Sequence, residues 1–159
     1  MTAEEYRQLG FAYMKEKNWH AALTALRESE KRFLQESAGS EERPDASVPP
    51  QLLSALGLCI AMAENKIQDG VQYCQRAINS EAFEAQFYYH LGMVYLKAPN
   101  KRKALSSFYN GLKMNPNHPR IRKKLYEMGV RKLPLLSFLP RNHFLNKFFG
   151  QLLVRGNGK

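Results

Sequence analysis

Residues 88–116, YYHLGMVYLKAPNKRKALSSFYNGLKMNP, decide how the rest of the chain is read. Tyr88, Leu91 and Tyr95 recur at steps of three and four, which places them on one face of a helix. Gly92 follows the leucine, and the side chain it lacks leaves room for a second helix to come close. Ala104 and Phe108 are the small and bulky residues, one turn apart, that close the pair. Pro116 then punctuates the chain before the next unit.

Two further segments repeat this pattern. The first is Tyr6-x-x-Leu9-Gly10-x-x-Tyr13, followed by Ala22 and Leu26. The second, with a weaker match, is Leu53-x-x-Leu56-Gly57-x-x-Ile60, followed by Gly70, Cys74 and Ala77. Helices of this length are marginal alone, so the pattern predicts that stability comes from stacking helix pairs on one another. Gly57 and Gly92 are 35 residues apart, whereas Cys74 and Phe108 are 34 apart. The difference predicts a one-residue insertion in the Glu64–Asp69 turn. The 47 residues from Gly10 to Gly57 leave a larger surplus, which belongs in SAGSEERPDASVPP, residues 37–50. That stretch is rich in Ser, Pro, Gly and charge and predicts a loop, preceded by a second helix extended to about Glu36.

Over residues 3–116 the three copies resemble the tetratricopeptide repeat (TPR) family, with Trp19 adding an aromatic that is familiar near the start of the second helix. The tryptophan position of the family holds Tyr6, Leu53 and Tyr88, and Gly111 stands where Ala is usual, at a small cost to that helix. The resemblance implies an all-α fold, a TPR-type α-solenoid of antiparallel helix pairs occupying residues 1–132 with a capping helix, the 37–50 loop being an insertion. It also implies a concave channel lined by the first helix of each pair. By matching positions, the channel residues are Arg7, Phe11 and Met14, then Gln51, Ser54, Leu58 and Ala61, then Gln86, Tyr89, Met93 and Leu96. Leu58 and Leu96 also read as helix-packing core. Heat-shock chaperone tails are gripped by family members through Lys, Arg and Asn; here the corresponding positions are Arg7, Phe11, Ala55, Gln86 and His90, which argues against a carboxylate clamp. The implied ligand is an apolar or amphipathic segment of another protein.

Composition narrows the function classes. The hydrophobic share of 44% is that of a folded soluble domain. No apolar run is long enough to span a bilayer, and the acidic start MTAEEY is unlike a secretory signal, so the expected location is cytoplasmic. Cys59 and Cys74 form no Cys-x-x-Cys pair, and His20, His90, His118 and His143 are scattered, so neither a metal nor a cofactor is expected. Ser106, Ser107 and Cys74 have no histidine or carboxylate at a catalytic spacing, and neither a nucleophile elbow nor a phosphate loop occurs. Glu4-Glu5 and Glu41-Glu42 suit a helix start and a solvated loop. The expectation is a non-enzymatic interaction adaptor.

Charge is unevenly spread. Residues 1–96 hold nine Lys and Arg against thirteen acids, and residues 97–159 hold fifteen against Glu127 alone. Of that basic third, His118–Gly129 predicts the capping helix, with Ile121, Leu125 and Met128 inward and Arg120, Arg122, Lys123 and Lys124 outward. Residues 133–159 predict an apolar strap, LPLLSFLP, and a final helix capped by Asn142. That helix carries Phe144, Leu145, Phe148, Phe149, Leu152 and Leu153 on one stripe. Four partners are open to this tail interaction surface of Phe144, Phe148, Phe149 and Leu152: its own solenoid, a second copy, another protein, or an anionic membrane surface that makes the protein membrane-peripheral. No nucleic-acid motif accompanies the basic charge. In size and repeat number the chain is also similar to the small TPR chaperones of bacterial type III secretion, which implies shielding of an apolar segment as the alternative to an adaptor role.

Overall fold

The computed structural model describes residues 1–37 and 48–129. Among these, every regular element is a helix: α1 (Ala3–Lys15), α2 (Trp19–Ser37), α3 (Pro50–Glu64), α4 (Ile67–Ser80), α5 (Ala85–Lys97), α6 (Lys101–Met114) and α7 (Pro119–Glu127). The helix ends follow local chemistry. Thr2 and Glu5 form a reciprocal capping box at α1. Pro50 opens α3, where its missing N–H costs nothing. The Glu84 carboxylate accepts from the Gln86 N–H at the start of α5, and Asn100 accepts from the Lys103 N–H at α6.

Short turns make three helical hairpins, α1/α2, α3/α4 and α5/α6. Between hairpins, α3 packs on α2 and on α5, α4 packs on α5, and α1 touches α3 lightly. The glycine logic of the sequence holds at each pair. A Cβ added to Gly10 would meet Leu26, one added to Gly57 would meet the Gly70 carbonyl and Cys74, and one added to Gly92 would strike the Phe108 ring. Each glycine is the space its partner helix occupies.

Two details depart from the spacing argument. The surplus residue of the second copy lies in the helix rather than the turn, because α3 runs past Gly57 two residues further than α1 and α5 run past their glycines. Only Asn65 and Lys66 remain for the turn, and Asn65 takes a left-handed conformation at φ 58° to close it. The 37–50 segment also ends early, since Val48 is buried in the core beside Leu52 and Leu53. The extension of α2 to Ser37 agrees with the expected helix end, and Phe33 on that extension packs against the same core.

The core is continuous along the array. One cluster joins Ala22, Leu23 and Leu26 of α2 to Leu52, Leu56, Cys59 and Ile60 of α3 and Phe87 of α5. A second joins Leu58 and Ala61 of α3, Val71 and Cys74 of α4, and Leu91 and Val94 of α5. Met14 and Trp19 border both. The chain divides into two compact units, Met1–Ile121 and Arg122–Lys159. In the first, Ile121 is fully buried beside Gly111, where a Cβ would lie 2.5 Å from its Cδ1 and 3.0 Å from Tyr88 Cβ. Gly111 is therefore a packing glycine, and its cost to α6 is offset by the contact it permits. In the second unit Leu125 is buried, while Arg122, Lys123 and Tyr126 are exposed. The strap and the Phe144, Phe148, Phe149 and Leu152 stripe lie outside the described residues.

Candidate peptide-binding groove

The residues expected to line a channel fall into two groups. On α1, Arg7, Phe11 and Met14 are half-buried. Arg7 donates from Nη2 to Glu4 Oε1 at 2.7 Å, and its guanidinium carbon sits 5.7 Å from the Phe11 ring centre. Arg7 Nε is buried with no hydrogen-bond partner. The guanidinium beside Glu4 holds that carboxyl below its usual range. On α5, Tyr89, Met93 and Leu96 are half-buried, with Met93 on the edge of the second core cluster.

The middle helix differs. Ser54 and Ala61 are fully buried and Leu58 is 4% exposed, so on α3 these positions are packing residues. Gln51, one turn earlier, is exposed and donates to Glu81 Oε2 at 3.2 Å. Of the residues expected to line a channel, the partly accessible apolar ones therefore lie on α1 and α5, and those on α3 after Gln51 are packed.

Beneath Tyr89 runs a buried polar chain that spacing alone does not reveal. The Ile121 N–H donates to His118 Nδ1 at 3.3 Å, and His118 Nε2 lies 3.2 Å from Gln86 Oε1. Gln86 Nε2 lies 2.7 Å from His90 Nε2, and His90 Nδ1 lies 2.8 Å from Ser54 Oγ. Tyr89 covers this chain, with ring centres 5.8 Å from His90, 6.1 Å from His118 and 6.3 Å from Phe108. Burial, with help from Arg120 and His118, pushes the His90 imidazole down to about 3. Burial also lowers His118, against the pull of Glu84. His90 follows two tyrosines in sequence, but its hydrogen-bond partners are a glutamine one turn away and a serine on α3, and the glutamine carries the chain on to a histidine beyond α6. Only the fold brings them together.

Where they sit, both cysteines are poor nucleophiles. Burial pushes the Cys59 thiol up to about 12 and raises Cys74 further, while Cys74 Sγ rests 3.7 Å from the Ser54 carbonyl. Among the described residues no group of three or more His, Cys, Asp and Glu side chains is placed to hold a metal ion. No helix among them is long and apolar enough to cross a membrane.

No protein-family profile matches the sequence, and a comparison with curated proteins finds no match. The architecture, in contrast, has many solved counterparts. The chain superposes on YrrB, described as a TPR protein with an unusual peptide-binding site, with a TM-score of 0.58 at 17% identity over 79% of this chain. This is a tetratricopeptide-repeat fold. The match spans 58% of the YrrB chain. The first TPR domain of Spaghetti (RPAP3), solved with the HSP90 peptide SRMEEVD, also gives a TM-score of 0.58, at 14% identity over 81% of this chain and 91% of its own. PcrH, solved with the chaperone-binding region of PopB, gives 0.53 at 16% identity over 80% of this chain and 92% of its own. At these identities the likeness establishes the TPR fold.

Proposed function

We propose that this TPR protein is a non-catalytic interaction adaptor that holds an apolar or amphipathic segment of another protein along the faces of α1 and α5. The observation that carries this reading is the set of partly open apolar side chains, Phe11, Met14, Tyr89, Met93 and Leu96, on the first helices of the outer pairs. Methionines on such a surface adapt to varied partners. The TPR neighbours bound to the HSP90 peptide and to the PopB segment support a peptide as ligand.

Electrostatics argue for an apolar ligand over an acidic tail. Arg7 is already paired with Glu4, and Gln86 and His90 are engaged with one another. The likeness to PcrH favours a second reading, a small chaperone that shields a partner's apolar segment before assembly.

Affinity capture from native lysate of the source organism, with wild type and a Phe11→Ala, Tyr89→Ala, Met93→Ala variant, tests the groove. Loss of a captured protein in the folded variant supports it. Equal capture by both forms contradicts it. A purified partner that stays soluble only in complex would favour the chaperone reading over the adaptor.

A further inference from the structure

The buried chain Ile121–His118–Gln86–His90–Ser54 runs in one direction. Both histidines are within hydrogen-bond reach on each ring nitrogen, and no side chain in the chain is anionic. The Ile121 N–H can only donate, so His118 Nδ1 accepts and His118 Nε2 carries the proton. Gln86 Oε1 accepts that proton's bond, so its amide donates to His90 Nε2, and His90 Nδ1–H faces Ser54 Oγ. Every link is a donor meeting an acceptor, and both rings are neutral.

A further proton has no place in this sequence. On His90 it would set Nε2–H against the Gln86 amide. Turning the amide over relieves that clash but presents the same NH2 group to His118 Nε2. His118 must then carry its proton on Nδ1, opposite the Ile121 N–H. The conflict moves along the chain and ends on the backbone that begins α7.

We propose that the Ile121–His118–Gln86–His90–Ser54 chain is a proton-operated latch that fastens residues 115–121 onto α5 and α3 and lets them go on mild acidification. The charged and titratable groups around it are few. Arg120, on the same segment, disfavours protonation of both rings, and Glu84, at the start of α5, favours it at His118. Cys74 of α4 reaches the Ser54 carbonyl and stays a neutral thiol. Tyr89 of α5 covers both rings. His118, the ring that Glu84 assists, takes the first proton. When the segment lets go, Ile121 leaves Gly111, and Tyr89 loses the ring beside it.

The sign follows from the lowered imidazoles. A released histidine titrates near its ordinary value and a latched one lower, so the released state binds more protons between the two. The latch is closed above about pH 6.5 and weakens as pH falls below it. One proton taken up on release makes opening about tenfold more favourable for each pH unit in that window.

Amide exchange of Ile121 and His118, measured by NMR on the full chain and corrected for the intrinsic pH dependence of exchange, reads the opening directly. Protection that falls by about tenfold per pH unit below pH 6.5, while Leu56 and Cys59 of α3 stay protected, supports the latch. Protection that stays constant to pH 4.5 overturns it, as does loss in step with α3. Gln86→Glu adds a discriminating variant. Its carboxylate accepts both from neutral His118 Nε2–H and from a protonated His90, while His118 Nδ1 still accepts from Ile121. The variant therefore takes up a proton without losing a link and opens at a lower pH than wild type. If the variant opens at the same pH as wild type, the donor-chain argument is wrong, and the wild-type measurement stands whether or not the variant folds.

Discussion

Gly57→Ala separates the packing account from intrinsic helix preference. In an isolated helix the change is favourable by about 1 kcal/mol, since alanine fixes the backbone more cheaply than glycine. In this protein the new methyl would lie 2.6 Å from the Gly70 carbonyl oxygen, 2.7 Å from Cys74 Sγ and 3.0 Å from the Cys74 nitrogen. Two of those neighbours are backbone atoms of α4 and cannot turn aside. Ordinary contact distances are about 3.5 Å, so α3 and α4 must part by about 1 Å along this seam. A gap of that size forfeits a quarter to a half of each neighbouring dispersion contact, and overpacking of this kind costs about 1–3 kcal/mol. Because the obstacles are rigid, the upper part of that range applies, and the net expectation is a loss of about 1–2 kcal/mol after the helix gain. Urea unfolding followed by circular dichroism measures it. Gly70→Ala, whose methyl would meet the Gly57 carbonyl at 2.6 Å from the other side, should lose a similar amount. If Gly57→Ala is as stable as wild type or more so, α3 and α4 do not approach as described and the repeat assignment of the middle copy fails.

Other consequences are equally open to measurement. Leu58→Ala, at a buried position, should cost about 2–5 kcal/mol of stability, whereas Met93→Ala should cost clearly less while weakening partner capture; the reverse ranking would exchange their roles. Cys59 and Cys74 should resist a thiol reagent at pH 8 in the native protein and react at once in denaturant, and rapid native labelling would contradict their burial. Arg27 donates to both Glu64 oxygens, at 2.7 and 3.0 Å, and with Lys66 holds that carboxyl down to about 2. The folded carboxyl therefore titrates below its ordinary value, and the pair's contribution, complete above about pH 4.5, is lost as pH falls below it. Arg27→Met should flatten the pH dependence of stability in that window, and an unchanged profile would refute the assignment.

How far the sequence could be read depended on the kind of contact involved. Helix pairing was legible because it rests on local geometry: a glycine on one helix and a bulky residue a fixed distance later, as in Gly10 with Leu26 and Gly92 with Phe108. Spacing counts residues without saying which are helical, so it points to the turn, whereas α3 takes up the extra residue. Ser54 illustrates a second limit. Matching positions put it on the same helix face as Phe11 and Tyr89, but its exposure depends on how closely α2 and α5 flank α3, which no single helix encodes. The chain from Ser54 to His118 was illegible for a related reason. Its members lie on three parts of the sequence with no common period, and a lone histidine on an apolar face ordinarily reads as packing.

A photo-crosslinking residue placed at Tyr89, with the same residue placed at exposed Gln75 on α4 as control, tests the peptide-holding role most directly. Irradiation in native lysate should join a partner protein at position 89 and leave position 75 uncoupled. Crosslinking at both positions alike, or at position 75 alone, would contradict a groove built on the first helices of the repeats.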